Sequence, residues 1–261
     1  MNHRHKYSYQ KICLDLKDVS KTFPYTNSNK TNLVLENLNV QISDGEFVTI
    51  IGKSGSGKST LLNIIAGFEN SFGGTILLNG QPIRNISKEI VMLFQESALF
   101  PWLTAFENIE IALKIAKSPR QEREKIITHY LRIVGLSDYS HFYIHQLSGG
   151  MKQRVSLARA LCLNPKILLM DEPFAALDIS IKMLLYKELL EIHKKTKKTI
   201  LFVTHNINEA VLLGDRVILL SPKSHNIKND YVIDIPNDKR PDNPKIRNII
   251  DQITHDLYEN R

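Results

Sequence analysis

Residues 47–67, FVTIIGKSGSGKSTLLNIIAG, restrict the fold more than any other part of the chain. A strand-like apolar run ends at Gly52, a glycine-rich loop follows, and Lys58-Ser59 open an apolar helix with no spare residues between the three pieces. The loop fits G-x-x-x-x-G-K-[ST] as Gly52, Gly57, Lys58 and Ser59. Glycines let the backbone curl until successive N–H groups converge, and the helix N-terminus adds partial positive charge at the same point. The expected occupant is a phosphate chain, with Lys53, Ser54, Gly55 and Ser56 forming the wall of the cradle. Lys58 then reaches the β and γ phosphates of a nucleotide, Ser59 ligates Mg2+, and Thr60 stands next to it on the helix. A plain flexible turn is the alternative, but it does not call for a lysine and a hydroxyl at fixed offsets after the last glycine.

Composition narrows the setting. With 261 residues, 43% of them hydrophobic and 23% charged, the chain has room for one large globular domain or two smaller ones. No apolar run approaches the ~18 residues of a membrane helix. The start, MNHRHKYSYQK, lacks the apolar segment of a secretory signal, so a cytosolic protein is expected. Cys13 and Cys162 stand far apart without a metal-binding pattern and read as buried free thiols. The net charge of +7 suits nucleic acid, a membrane face or a phosphate ligand equally. Its densest run, HKKTKK at 193–198, reads as the solvated end of a helix.

Strands and helices alternate, which predicts an α/β domain around a largely parallel sheet. FVTII, IVMLF (90–94), KILLMD (166–171), TILFVT (199–204) and RVILL (216–220) are buried-strand candidates. Asp44-Gly45, between LNVQI and EFVTII, predicts a hairpin, and TILLNG (75–80) extends an antiparallel N-terminal region. From 95 to 163 the pattern turns helical, with a capping box at Thr104 and Glu107 and a second start at Ser118, Pro119 and Gln121. The expected organisation is a single domain: an α/β core with β subdomain over 12–94 and 164–235, a helical subdomain over 95–163, and a tail over 236–261 made of a proline-bounded loop and one short helix.

Two further stretches carry chemistry. KILLMDEP puts Asp171 at the carboxyl end of an apolar strand, where ligands of open α/β sheets bind, and there it can hold magnesium through water. Glu172 beside it can orient or deprotonate a water attacking the γ-phosphate. A strand ending in Asp-Glu is by itself often only a strand end; beside the phosphate loop it favours hydrolysis over binding alone. In LSGGMKQR (147–154), Ser148, Gly149 and Gly150 open a helix with bare N–H groups and a hydroxyl turned to an anion. A plain N-cap would not need two glycines beside the serine.

With GKSGSGKST, LSGGMKQR, ILLMDEP, ALD at 176–178 and Thr204-His205 in this order, the chain resembles the nucleotide-binding subunit of an ATP-binding cassette (ABC) transporter from about Leu14 onward. The resemblance implies a P-loop NTPase (RecA-like) α/β core with an N-terminal antiparallel β subdomain and an inserted α-helical subdomain. It implies a head-to-tail, ATP-dependent dimer in which Ser148, Gly149 and Gly150 of one copy close on the γ-phosphate held by the other. Phe23 matches the aromatic that stacks on adenine, with a core aromatic as the alternative and Tyr25 as a nearby substitute. Gln95 is implied to meet magnesium and the attacking water, Asp178 to communicate across the dimer, and His205 to contact the γ-phosphate. Asn206 departs from the aspartate of many relatives and leaves the support of His205 open.

After Gln95 comes ESALFPWLTAFENI, whose Leu99, Phe100, Trp102 and Leu103 form either core or a docking patch. PWLT with ENI, together with DEPFAALD and VTHNINEAV, is similar to the nitrate, sulfonate, taurine and bicarbonate branch of importer ATPases, which also includes thiamine-precursor uptake systems. That branch implies ATP hydrolysis powering uptake of a small solute, through two membrane permease subunits and an extracytoplasmic solute-binding protein, from the cytoplasmic face of the membrane. A non-transport cassette acting on nucleic acid or the ribosome is the alternative. Only 90 residues separate Lys58 from Ser148 (148 minus 58), too few for an inserted long coiled coil, and each motif occurs once. No nucleic-acid partner is therefore expected. A small-molecule P-loop kinase would leave LSGGMKQR and His205 unexplained.

Overall fold

A computed structural model of the protein describes residues 11–25, 31–83, 85–94, 98–175, 177–241 and 243–259. In chain order its strands and helices are β1 (Ile12–Pro24), β2 (Thr31–Ser43), β3 (Phe47–Gly52), α1 (Lys58–Ala66), β4 (Gly73–Leu78), β5 (Gln81–Pro82), β6 (Ile90–Leu93), α2 (Ala105–Ile115), α3 (Arg120–Ile133), α4 (Gly149–Leu161), β7 (Ile167–Asp171), α5 (Ile179–Thr196), β8 (Thr199–Val203), α6 (Ile207–Leu213), β9 (Arg216–Ser221), β10 (Asn226–Val232) and α7 (Pro244–Tyr258). The chain divides into two compact units, with breaks after Ser87 and after Thr196.

The first unit contains two sheets. One is antiparallel in the order β2-β1-β4-β5. In the other, β3 runs parallel to both β8 and β9, and β10 is antiparallel at the edge. All six residues of β3 and all five of β8 are buried, as strands covered on both faces require. Asp44-Gly45 is not the hairpin that its sequence predicts: β2 pairs with β1 and β3 pairs with β8 and β9, so this turn passes the chain from one sheet to the other. The turn is fixed from outside, Asp44 N donating to Lys11 O (2.8 Å) and Gly45 N to Thr199 Oγ1 (3.0 Å).

The tail is more than a short appended helix. α7 is 15 residues long and begins at Pro244, with Asn243 Oδ1 accepting from Lys245 N. Ile246, Ile249, Ile250, Ile253 and Leu257 share one face and pack with Ala210, Val211, Val217 and Leu219, so the tail completes this unit's core.

The second unit pairs β6 with β7 in parallel and carries α2 to α5. The capping box at Thr104 and Glu107 is formed in both directions (3.2 and 2.8 Å). The start of α3 lies one residue later than the sequence predicts: Pro119 occupies the cap, and Ser118 gives its carbonyl to the Arg123 guanidinium (2.9 and 2.8 Å) instead of capping with its hydroxyl. α5 ends at Thr196 with Lys194 and Lys195 in its last turn, where cations suit the helix dipole. Cys13 and Cys162 are buried free thiols, and among the described residues no helix is long and apolar enough to cross a membrane.

Candidate nucleotide site

The loop between β3 and α1 has the geometry its glycines allow. Gly57 adopts φ 91° at the N-cap of α1, and a Cβ there would lie 2.7 Å from Leu35 Cδ2 and 3.2 Å from Val34 Cγ1. Only glycine meets both the left-handed backbone and the close approach of β2. No acidic residue sits in the first turn of α1, so the partial positive charge of its N-terminus is not offset there. Ser54, Gly55 and Ser59 are exposed along this rim, with Lys53 and Thr60 half-buried. The Lys58 side chain is buried, its ammonium donating to Gly52 O (2.9 Å) and Lys53 O (3.2 Å). Ser56 Oγ, also buried, has no hydrogen-bond partner among the described residues. A held cation, an unsatisfied hydroxyl and a helix N-terminus without a side-chain cap together fit a phosphate ligand. Lys53 Nζ stands 5.8 Å from the centroid of the Tyr258 ring at the end of α7.

Neighbouring strands bring further residues to the same sheet end. Ile50 pairs with Val203 and its carbonyl accepts from Thr204 N (3.1 Å), so His205 comes directly after the point where β8 leaves β3, near the end of both strands. This is the carboxyl end of parallel strands, where ligands of α/β sheets bind. His205 is exposed. Phe23, near the end of β1, is 36% exposed and thus not a core aromatic; the Lys21 ammonium stands 4.4 Å over its ring. That buried ammonium is fixed by Glu69 (3.0 Å) and Ser71 O (2.6 Å). Lys21 pairs with Leu35, the residue against Gly57, which places this aromatic on the strand pair beside the phosphate loop. Tyr25 is exposed.

In the second unit Leu93 pairs with Met170, so β6 and β7 end together. Asp171 and Glu172 are half-buried there. Glu172 has φ 46°, a left-handed backbone that a non-glycine residue holds at a cost of about 1–2 kcal/mol. Such strain gathers at functional positions. Gln95 lies outside the described residues. Ser148 caps α4, its Oγ accepting from Met151 N (3.3 Å), and Ser148 and Gly149 are both exposed. A Cβ at Gly150 would lie 2.8 Å from Leu177 Cδ2, so the start of α4 abuts the segment before Asp178. Asp178 is exposed and accepts from Ile181 N (3.1 Å), capping α5.

Residues 35–175, more than half of the chain, match the family model described as ABC transporter. The chain belongs to the ABC transporter family. This ABC cassette is 42% identical over 234 residues to a nitrate import ATP-binding protein of Synechocystis sp., covering 90% of this chain and 86% of that one. It is 44% identical over 212 residues to an aliphatic sulfonates import ATP-binding protein of Bacillus cereus (81% and 82% covered) and 44% identical over 214 residues to a bicarbonate transport ATP-binding protein of Synechocystis sp. (81% and 75%). Among solved structures it is similar to the dimeric post-hydrolysis state of the ATP-binding cassette MJ0796 bound to ADP and Pi, with a TM-score of 0.77, 34% identity, and 85% of this chain and 100% of that one covered. The fold is therefore that of an ABC ATPase cassette, a P-loop α/β core with antiparallel and helical additions.

Sequence reading of the cassette missed the residues that hold others in place. Asn108 is fully buried in α2, takes Phe100 N (2.9 Å) and donates to Phe100 O (3.1 Å) and Thr104 O (2.9 Å), fixing the loop that displays Trp102. Lys21 fixes Phe23 in a similar way. An asparagine on the apolar face of a predicted helix was the available signal for Asn108; Lys21 gave none, because its partners lie about 50 residues away.

Proposed function

We propose that this cassette binds and hydrolyses Mg-ATP and thereby drives uptake of a small solute of the nitrate, sulfonate, taurine or vitamin-precursor kind through separate membrane subunits. The observation that carries the reading is the phosphate cradle, with the buried Lys58 ammonium held on the loop carbonyls and His205 following β8, the strand paired with β3. The roles of the relatives, import of nitrate and of aliphatic sulfonates and transport of bicarbonate, support the uptake role.

Each residue then has a task. The loop N–H groups and Lys58 bind the β and γ phosphates, so Lys58 exchanges two loop carbonyls for phosphate oxygens. Phe23 offers the adenine a ring face. Ser59, Asp171 and Gln95 would hold Mg2+, which when bound neutralises charge on the phosphate oxygens. Glu172 takes a proton from the attacking water, and His205 donates toward the γ-phosphate. Ser148, Gly149 and Gly150 of a second copy complete the site, with Asp178 at the dimer contact; ATP thus favours a closed pair and hydrolysis releases it. Two permease subunits, supplied by an extracytoplasmic solute-binding protein, sit on the pair at the cytoplasmic face of the membrane.

Lys58→Met tests the binding role. Losing one charge-assisted contact of about 1.5–3 kcal/mol should weaken ATP binding about tenfold or more by titration calorimetry, with secondary structure retained. Unchanged affinity would overturn the assignment.

Trp102 is assigned to the membrane subunits. It is 69% exposed and 5.6 Å from the Phe100 ring, which supports the docking reading over a core one for this residue. An apolar groove of about 210 Å³, lined in part by Val91, Phe100, Ile111, Ile115 and Leu163, occupies the same unit. Trp102→Ala should shift stability by no more than about 0.5 kcal/mol, because it removes an exposed side chain. Basal hydrolysis should persist while co-purification with the membrane subunits drops. Association at the wild-type level would remove Trp102 from this role.

A further inference from the structure

Thr204, His205 and Asn206 link β8 to α6, and both neighbours of His205 are tied down. Thr204 N donates to Ile50 O (3.1 Å), holding the turn to β3. Thr204 Oγ1 accepts from Asn206 N (3.0 Å) and donates to Glu209 Oε2. Asn206 Oδ1 accepts from Glu209 N (3.2 Å), and its carbonyl accepts from Ala210 N (3.0 Å). Glu209 is only 8% exposed, beside Ala210 and Val211 in the core.

Burying a carboxyl group costs free energy unless its hydrogen bonds are met. α6 does not need this one as a cap, because Asn206 already supplies the cap. What the Glu209 carboxylate adds is a fixed direction for the Thr204 hydroxyl, whose lone pair then receives Asn206 N–H across the His205 peptide. We infer that Glu209 is a positioning residue for His205, acting through Thr204 and Asn206 to hold the His205 backbone at the end of β8; this rests on the ATPase reading above. Asn206 caps and closes the turn as an aspartate would, so the amide at this position leaves the support of His205 intact.

The test compares Glu209→Ala, Glu209→Gln and His205→Ala by steady-state ATP hydrolysis and calorimetric ATP binding. Misplacing a reacting group by about 1 Å can cost ~10²-fold. Glu209→Ala should therefore lower kcat about tenfold to a hundredfold, with KM and ATP affinity within about twofold of wild type. Glu209→Gln, whose amide oxygen still accepts from Thr204, should recover most of the rate. The double variant Glu209→Ala with His205→Ala should be no slower than His205→Ala alone, the mark of one residue acting through the other. Wild-type kcat in Glu209→Ala, a glutamine variant as slow as alanine, or multiplied losses in the double variant would each overturn the inference. If Glu209→Ala does not fold, Thr204→Val against Thr204→Ser decides the same point, since only valine removes the hydroxyl. Absence of turnover in the wild-type dimer would sink the ATPase reading itself, whereas normal wild-type turnover with uncoupled Glu209 and His205 sinks only this one.

Discussion

Glu172→Gln should trap the cassette with ATP bound. The amide keeps the size and shape of the carboxylate at a position whose backbone is already held at φ 46°, and Ala175 N can still donate to the residue 172 carbonyl (3.2 Å). The ability to take a proton from water is lost, and a positioned general base contributes about 10²–10⁴-fold to rate. Phosphate release should fall by that factor while ATP affinity stays near wild type. Because ATP favours the closed pair under the proposed mechanism, light scattering should show dimers that persist in the variant and decay in the wild type. Turnover equal to wild type would remove Glu172 from its role, and a variant that neither binds ATP nor dimerises would point to a structural one.

Arg240→Met should cost the fold several kcal/mol although it lies away from the nucleotide. Arg240 is 1% exposed and spans the C-terminal end of α6: Nη1 donates to Val211 O (2.9 Å), Leu212 O (3.0 Å) and Gly214 O (2.8 Å), and Nε donates to Ile235 O (2.7 Å). The Asp215 carboxylate lies 3.9 Å from Nη2. The last carbonyls of a helix have no partner within it, and here one guanidinium satisfies several of them. Methionine fills a similar volume but removes this donor from the carbonyls of Val211, Gly214 and Ile235, while Leu212 O keeps the Asn237 amide (3.1 Å). Breaking a buried ionic arrangement of this kind costs about 3–5 kcal/mol. For a chain of this size that corresponds to a fall in Tm of about 10 °C. Arg240→Lys should recover only part, because an ammonium has no planar fork to bridge several acceptors. A Tm within about 2 °C of wild type would show that water replaces the guanidinium.

The phosphate loop was legible because its information is local: glycines, lysine and serine at fixed offsets, strand before and helix after. The buried runs at 47–52, 167–171, 199–203 and 216–221 were legible as strands because apolar residues without alternation leave few other options. What sequence could not give was pairing. The Asp44-Gly45 turn has hairpin chemistry, yet the partners of β3 arrive some 150 residues later, and burial on both faces outweighs a local turn preference. The start of α3 moved because a side-chain guanidinium competed for Ser118 O. In the candidate site, Lys58, Ser59, Asp171 and Glu172 follow from chemistry and spacing, whereas roles for Phe23, Gln95, Asp178 and His205 rest on the family resemblance.

The two native thiols bear on how motion in this cassette could be watched. Burial pushes the Cys162 thiol up to about 12, and Cys13 is as deeply enclosed. Thiolate is the reactive form, so maleimide dyes at neutral pH should pass over both positions in the folded protein. A cysteine introduced at an exposed position, for example Ser137 or Asp138, would then be the single labelling point, giving a fluorescence pair between two copies without first stripping the natural background.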